Sequence, residues 1–233
     1  MNSAILEITW FGLLIAFVPT AVVIAIMVAW RSIVGTAVYA TVRMLVQLLL
    51  IGYVLIYIFE TDNWLVIVAV LLVMLTVSSW IATRTLEQRT RADYLKALAA
   101  IALGGVLTLT IVTEFVIGVE PWFSPRYVVP LAGMIFAGSM NAVSLAADRY
   151  EAEMSRGSSY PEARRTALQT ALIPIINSLF AVGVVALPGM MTGQILSGVS
   201  PLVAAKYQIV VMTMLFGASG ISAAVYLVLQ RPD

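Results

Sequence analysis

Seven long apolar runs follow one another along the chain, at about residues 8–29, 35–59, 64–82, 97–119, 127–147, 168–187 and 203–229. A bilayer core about 30 Å thick requires about 20 apolar residues in a spanning helix. Each run is long enough to span, the third and the sixth only just. A soluble domain is about half apolar and about a quarter charged. Here 61% of the residues are hydrophobic, 11% are charged, and the mean hydropathy is +1.00. The expected fold is an all-α integral membrane protein of about seven transmembrane helices, forming a single transmembrane domain over residues 1–233. That leaves no room for a second, soluble domain. The first run is preceded by Glu7 and by no basic residue. A secretory signal would carry a positive n-region, so this run is expected to stay as a span.

The distribution of cations predicts the topology, because basic residues mark the cytoplasmic side. Arg31 follows the first run; Arg84, Arg89, Arg91 and Lys96 follow the third; Arg149, Arg156, Arg164 and Arg165 follow the fifth; Arg231 follows the seventh. Opposite them lie Arg126 and Lys206, with Glu7, Glu60, Asp62 and Glu120. Counting Arg43 inside a span, this is ten basic residues against two, which accounts for all 13. The expected orientation is N-terminus outside and C-terminus in the cytoplasm. Trp10, Trp30, Trp64, Trp80 and Trp122 fall near run ends, as interfacial tryptophans do.

The most polar stretch is "DRYEAEMSRGSSYPEARRTALQTALIP", Asp148 to Pro174. Residues Glu151 to Arg156 read as helix, with Gly157 suited to the position just past a helix end. Ser159-Tyr-Pro-Glu162 reads as a capping box with Pro161 in the first turn. The spacing therefore predicts two helical pieces bent at Gly157, over about residues 148–167. Taken alone, this is a solvated helical hairpin.

Other polar groups sit at membrane depth. Arg43 and Gln47 are four residues apart and share a helix face. An intramembrane arginine is by default a functional candidate, and snorkelling to the interface is the competing reading. Pro188-Gly189-Met190-Met191-Thr192-Gly193-Gln194 reads as non-helical backbone, either a gate element or an ordinary outer loop. Asn141 with Ser144, and Asn177 with Ser178, suit interhelix hydrogen bonds or a translocation path. There is no cysteine and no histidine, which excludes disulfides, zinc fingers and histidine metal sites. A metal could meet only carboxylate, amide, carbonyl or thioether groups, and Glu114 is the one carboxylate candidate, with an interfacial position as the competing reading. Met134, Met140, Met190 and Met191 could offer thioethers, although methionines more often simply pack.

Permeases of ATP-binding cassette (ABC) importers carry a cytoplasmic Glu-Ala-Ala, three residues, Gly loop that ends in Ile-x-Leu-Pro. Glu151-Ala152-Glu153, three residues and Gly157 resemble its first part. The second part would fall at Ala167–Thr170, whereas Ala171-Leu-Ile-Pro174 stands four residues later. Longer stretches, "RMLVQLLLIGYVLIYIFE", "VVPLAGMIFAGSMNAVSLA" and "ALIPIINSLFAVGVVALPGMMTGQILSGVSPLVAAKYQIVVM", resemble the FetB (YbbM) family of ABC permeases. One departure is Phe136-Ala137-Gly138, where that family often has Gly-Asn; Asn141 comes about one turn later.

The resemblance implies a permease linked to iron export, in a bacterial inner membrane. It implies two copies of the chain working with two FetA-like cytoplasmic ATPases, with ATP and Mg held by those partners and no cofactor in this chain. It also implies a docking loop that includes Glu151, Ala152, Glu153, Gly157, Pro161, Glu162 and Arg164. Plant relatives are linked to aluminium tolerance and nucleotide-sugar transport, so substrate varies. The only lysines, Lys96 and Lys206, follow Leu95 and Ala205, and a P-loop requires Gly-Lys-Ser/Thr. ATP hydrolysis is thus expected of a partner chain, and nothing in the sequence points to nucleic acid. A stand-alone channel or secondary carrier is the alternative.

Overall fold

The computed structural model describes residues 8–86 and 88–231. Glu7, used in the topology argument, lies outside them. The described residues form helices joined by turns and loops, with no strand among them, and divide into two compact units, up to Glu60 and from Thr61.

The first unit holds α1 (Trp10–Ala16), α2 (Val18–Ala29) and α3 (Val34–Phe59). Thr9 caps α1 by accepting from the Gly12 amide at 3.1 Å. α2 begins where Pro19, which has no N–H to donate, fits the first turn. α1 and α2 together make one apolar span, Trp10–Ala29. α3 is about 39 Å long at the helical rise. Among the described residues of this unit only Ile58 is buried. Its surface of exposed Leu, Ile, Val and aromatic side chains suits hydrocarbon, not water.

The second unit holds α4 (Trp64–Ala82), α5 (Arg91–Thr110), a π-helical continuation over Ile111–Ile117, α6 (Pro125–Ser155), α7 (Tyr160–Ala181), α8 (Gly189–Leu196) and α9 (Pro201–Leu229). Asn63 caps α4, and a Thr90–Asp93 capping box starts α5. α6 and α9 are the central pair: α5 and α7 pack on both, and α4 packs on α5 and α6. Their contacts use small residues, as membrane helices do when close backbone approach replaces a hydrophobic drive. Ala97, Ala100, Ala132, Ala146, Ala167, Ala204, Ala218 and Ala223 are fully buried. A Cβ added at Gly104 would stand 2.9 Å from the Ser222 amide nitrogen, so α5 meets α9 backbone to backbone there.

Six helical segments among the described residues are long and apolar enough to cross a membrane: Trp10–Ala29, Val34–Phe59, Trp64–Ala82, Arg91–Ile117, Pro125–Ser155 and Pro201–Leu229. The run at 168–187, expected as the sixth of about seven spans, is not among them. The apolar part of α7, from Ala167 to Ala181, reaches only about 22 Å. The amides of Val185 and Ala186 then fold back to the Ala181 carbonyl, and Gly183 takes a φ of 82°. This segment still travels the length of the unit. α7 starts beside the C-terminal end of α9, where Tyr160 meets Leu227. α8 ends beside the N-terminal ends of α6 and α9, where Met190 and Gln194 share a cavity with Tyr127 and Val203.

Candidate functional site

The polar hairpin is the first candidate. At about 46 Å, α6 is longer than the ~30 Å hydrocarbon core, so its charged end from Asp148 projects beyond the apolar stretch. The helix stops at Gly157, whose φ of 83° is left-handed. The Gly157 amide donates to the Met154 carbonyl at 3.0 Å and the Ser158 amide to the Glu153 carbonyl at 3.2 Å, the two bonds of a Schellman end. Glu153 is held by Arg149 at 2.7 Å and by Arg156 at 3.6 Å, and accepts the Ser158 hydroxyl at 3.0 Å.

Beyond the bend, the Ser159 hydroxyl and amide both donate to the Glu162 carboxylate, at 2.7 and 3.2 Å. The hydroxyl bond first, then the amide bond, holds that carboxyl below its ordinary range. Pro161 occupies the first turn of α7, and the Arg164 guanidinium lies 5.3 Å from the Tyr160 ring centroid. Gly157, Arg156, Pro161, Glu162, Arg164 and Arg165 are exposed, while Glu151, Ala152 and Glu153 are half-buried. The sequence expectation of two helical pieces bent at Gly157 matches this geometry.

The second candidate is a cavity of about 570 Å³ at the opposite end of the same unit, lined by residues of α6, α8, α9 and the π-helical segment. Met190 and Gln194 line it, with Arg126, Tyr127, Met134 and Tyr207. The Gln194 Oε1 is buried and has no partner among the described residues. One correction concerns the 188–194 stretch, expected to be non-helical. Pro188 is the N-cap of α8, and Gly189 to Gln194 are helical, because Pro188 at φ −61° needs no N–H there and neither glycine takes a positive φ. Met191 is half-buried, and the Thr192 hydroxyl donates to the Pro188 carbonyl at 3.2 Å. The non-helical backbone lies just before, at 182–188.

Other expected site residues do not join this cavity. Asn141 lines a smaller one of about 150 Å³ with Pro174, Ser178 and Ser219. Asn177 is exposed on α7, outside both. Arg43 is half-buried and Gln47 exposed on α3, in the first unit. Glu114 is exposed on the π-helical segment, and no group of three or more Asp or Glu side chains that could hold a metal occurs among the described residues. Sequence reasoning missed Arg126, Tyr127 and Tyr207 as cavity walls. Arg126 and Tyr127 directly follow a Ser-Pro helix start, a signal that places them at a helix end but not beside α9.

These features define an all-α integral membrane protein with a long helical bundle, a projecting hairpin and an apolar cavity at the far end. The chain belongs to a family of membrane proteins described as Uncharacterised protein family UPF0014, whose model matches residues 9–232. It is similar to "UPF0014 membrane protein slr1647" of Synechocystis, 30% identical over 92% of this chain and 89% of the relative. It is similar to "Probable iron export permease protein FetB" of Escherichia coli, 31% identical over 78% of this chain and 75% of the relative. It is likewise similar to "Protein ALUMINUM SENSITIVE 3" of Arabidopsis thaliana, 32% identical over 82% and 74%. No solved structure matches the chain.

Proposed function

We propose that this protein is the membrane-spanning permease subunit of an ABC transporter in a bacterial inner membrane, with a separate FetA-like cytoplasmic ATPase docking on the α6–α7 hairpin. The observation that carries the reading is the hairpin itself. Its bend is built by a glycine-dependent helix end, its tip is exposed, and α6 is long enough to push it out of the hydrocarbon. A stand-alone carrier has no need of such an element. Two copies of the chain with two ATPases complete the transporter, ATP and Mg being held by the ATPases. The named iron export relative supports iron, or a related metal or solute, as cargo. The cavity presents Arg126 and no carboxylate, which favours cargo carried as an anionic chelate or anionic solute over a bare cation at that point.

The chain has no native cysteine, so a single thiol can be placed at will. A thiol-specific crosslinker on Ser158→Cys should join the chain to the co-expressed ATPase, and Ser124→Cys at the other end of α6 should not. Labelling of Ser158→Cys from outside intact cells would reverse the orientation and sink the reading.

A further inference from the structure

The C-terminal end of α9 is held by the hairpin, and its other end is a wall of the cavity that Met190 and Gln194 line. The last carbonyls of a helix have no intrahelical partner. At this end of α9 the Leu227 carbonyl, which also accepts the Gln230 amide at 3.3 Å, and the carbonyl of the capping Gln230 are taken by tyrosines that flank the hairpin bend. The Tyr160 hydroxyl, from the first residue of α7, donates to the Leu227 carbonyl at 3.1 Å. The Tyr150 hydroxyl, from the last turns of α6, donates to the Gln230 carbonyl at 3.1 Å. The two rings pack edge to face, with centroids 6.3 Å apart. From α5, Lys96 Nζ donates to Gln230 Oε1 at 2.7 Å. Below this collar the helices are closed by side chains too small to give way: Ala142 and Ala146 of α6, Ala167 and Ala171 of α7, Ala223 of α9, with Leu227.

A tyrosine hydroxyl on a helix-end carbonyl, twice, from either side of one bend, is a directional attachment and not mere packing. α9 is continuous from Pro201 to Leu229, about 43 Å. No proline interrupts its hydrogen-bond ladder after its first residue. At its far end Val203, Tyr207, Val210 and Val211 face the cavity that also contains Met190 and Gln194.

Resting on the permease reading, we infer that Tyr150 and Tyr160 are positioning residues that transmit ATPase-driven motion of the hairpin to the cavity by gripping the C-terminal end of α9. A shift of the hairpin pulls Leu227 and Gln230 with it. The α9 helix carries the shift to Val203 and Tyr207. Neither tyrosine touches cargo or nucleotide.

The test uses the full chain reconstituted with its ATPase, carrying Val203→Cys as a reporter on the cavity wall. The rate of modification by a water-soluble maleimide is measured without nucleotide and after trapping with ATP and vanadate. In the otherwise native chain the rate should change on trapping. In Tyr150→Phe/Tyr160→Phe, which keeps both rings and removes both donors, the nucleotide-dependent change should shrink by roughly tenfold, the factor that two lost interhelical hydrogen bonds correspond to. ATPase binding to the hairpin should persist. Tyr160→Phe alone should lose part of the change, which keeps the test informative if the double variant inserts poorly. A full nucleotide response in the double variant would overturn the grip while leaving the permease reading intact. A native chain that neither binds the ATPase nor responds to trapping would overturn both.

Discussion

Replacing Gly157 isolates backbone strain from every other property of the hairpin. A Cβ built at this position meets no atom within 4 Å, yet the φ is 83°. A substitution there collides with nothing and pays only the left-handed conformational cost, about 1–2 kcal/mol for an L-residue. Valine, branched at Cβ, should exceed alanine, and asparagine, which tolerates this region, should stay near glycine. If the residue instead relaxes to a right-handed φ, the bonds from the Gly157 and Ser158 amides are lost and α6 runs on past the bend. Either way the bent form becomes rarer by a factor of roughly 5–30 for each 1–2 kcal/mol. Affinity for the ATPase should fall by up to that factor, because binding draws on the bent fraction alone. Membrane abundance should not change. The assay is a titration of ATPase onto the purified variants in nanodiscs, reading both binding and stimulated ATP hydrolysis. The expected order is Gly, Asn, Ala, Val. Native affinity in Gly157→Val would refute the role of the bend, and equal losses in Asn and Val would refute strain as the cause.

Three further outcomes follow from particular contacts. Gly104→Ala should destabilise the second unit by about 1–3 kcal/mol, because its Cβ would press on the Ser222 backbone, whereas Gly193→Ala, with open space around it, should leave the thermal midpoint in detergent unchanged. The Glu162 carboxyl is held below its ordinary range by Ser159, so its stabilisation of the α7 start is complete above the ordinary glutamate value and fades as pH falls through the lowered one; the protection of the Ala163 amide relative to its intrinsic exchange rate should fall in that acid window, and Ser159→Ala should abolish the dependence. Arg43 lies half-buried inside a membrane span; if it contacts cargo or a partner copy, Arg43→Gln and Arg43→Lys should both lose transport at normal abundance, and normal transport in Arg43→Gln would show a snorkelling side chain.

The spans were legible because hydropathy over about 20 residues reports directly on helices in hydrocarbon. The hairpin was legible for a different reason: Gly157, Ser159, Pro161 and Glu162 act on their own neighbours, so their chemistry is complete within a few residues. The break after Ala181 was not. Val182 to Leu187 is as apolar as a span, and hydropathy does not register that Gly183 turns left-handed there. Pro188 and Gly189 look like punctuation in sequence, yet Pro188 at an N-cap starts a helix as readily as it ends one. The grip on α9 was out of reach for another reason. Tyr150 and Gln230 are 80 residues apart and Tyr160 and Leu227 are 67 apart, and the acceptors are backbone carbonyls, which carry no residue signature. The cavity is similar: its walls come from segments that only the packing of α6, α8 and α9 brings together.

The central claim, a permease driven by a partner ATPase, is tested most directly by transport into inside-out membrane vesicles containing this chain, with and without the co-expressed ATPase. Iron, supplied free and as an anionic chelate, should accumulate only when the ATPase, ATP and Mg are all present, and accumulation should fall with Gly157→Val. Equal accumulation without the ATPase or without ATP would contradict the account and establish a stand-alone carrier.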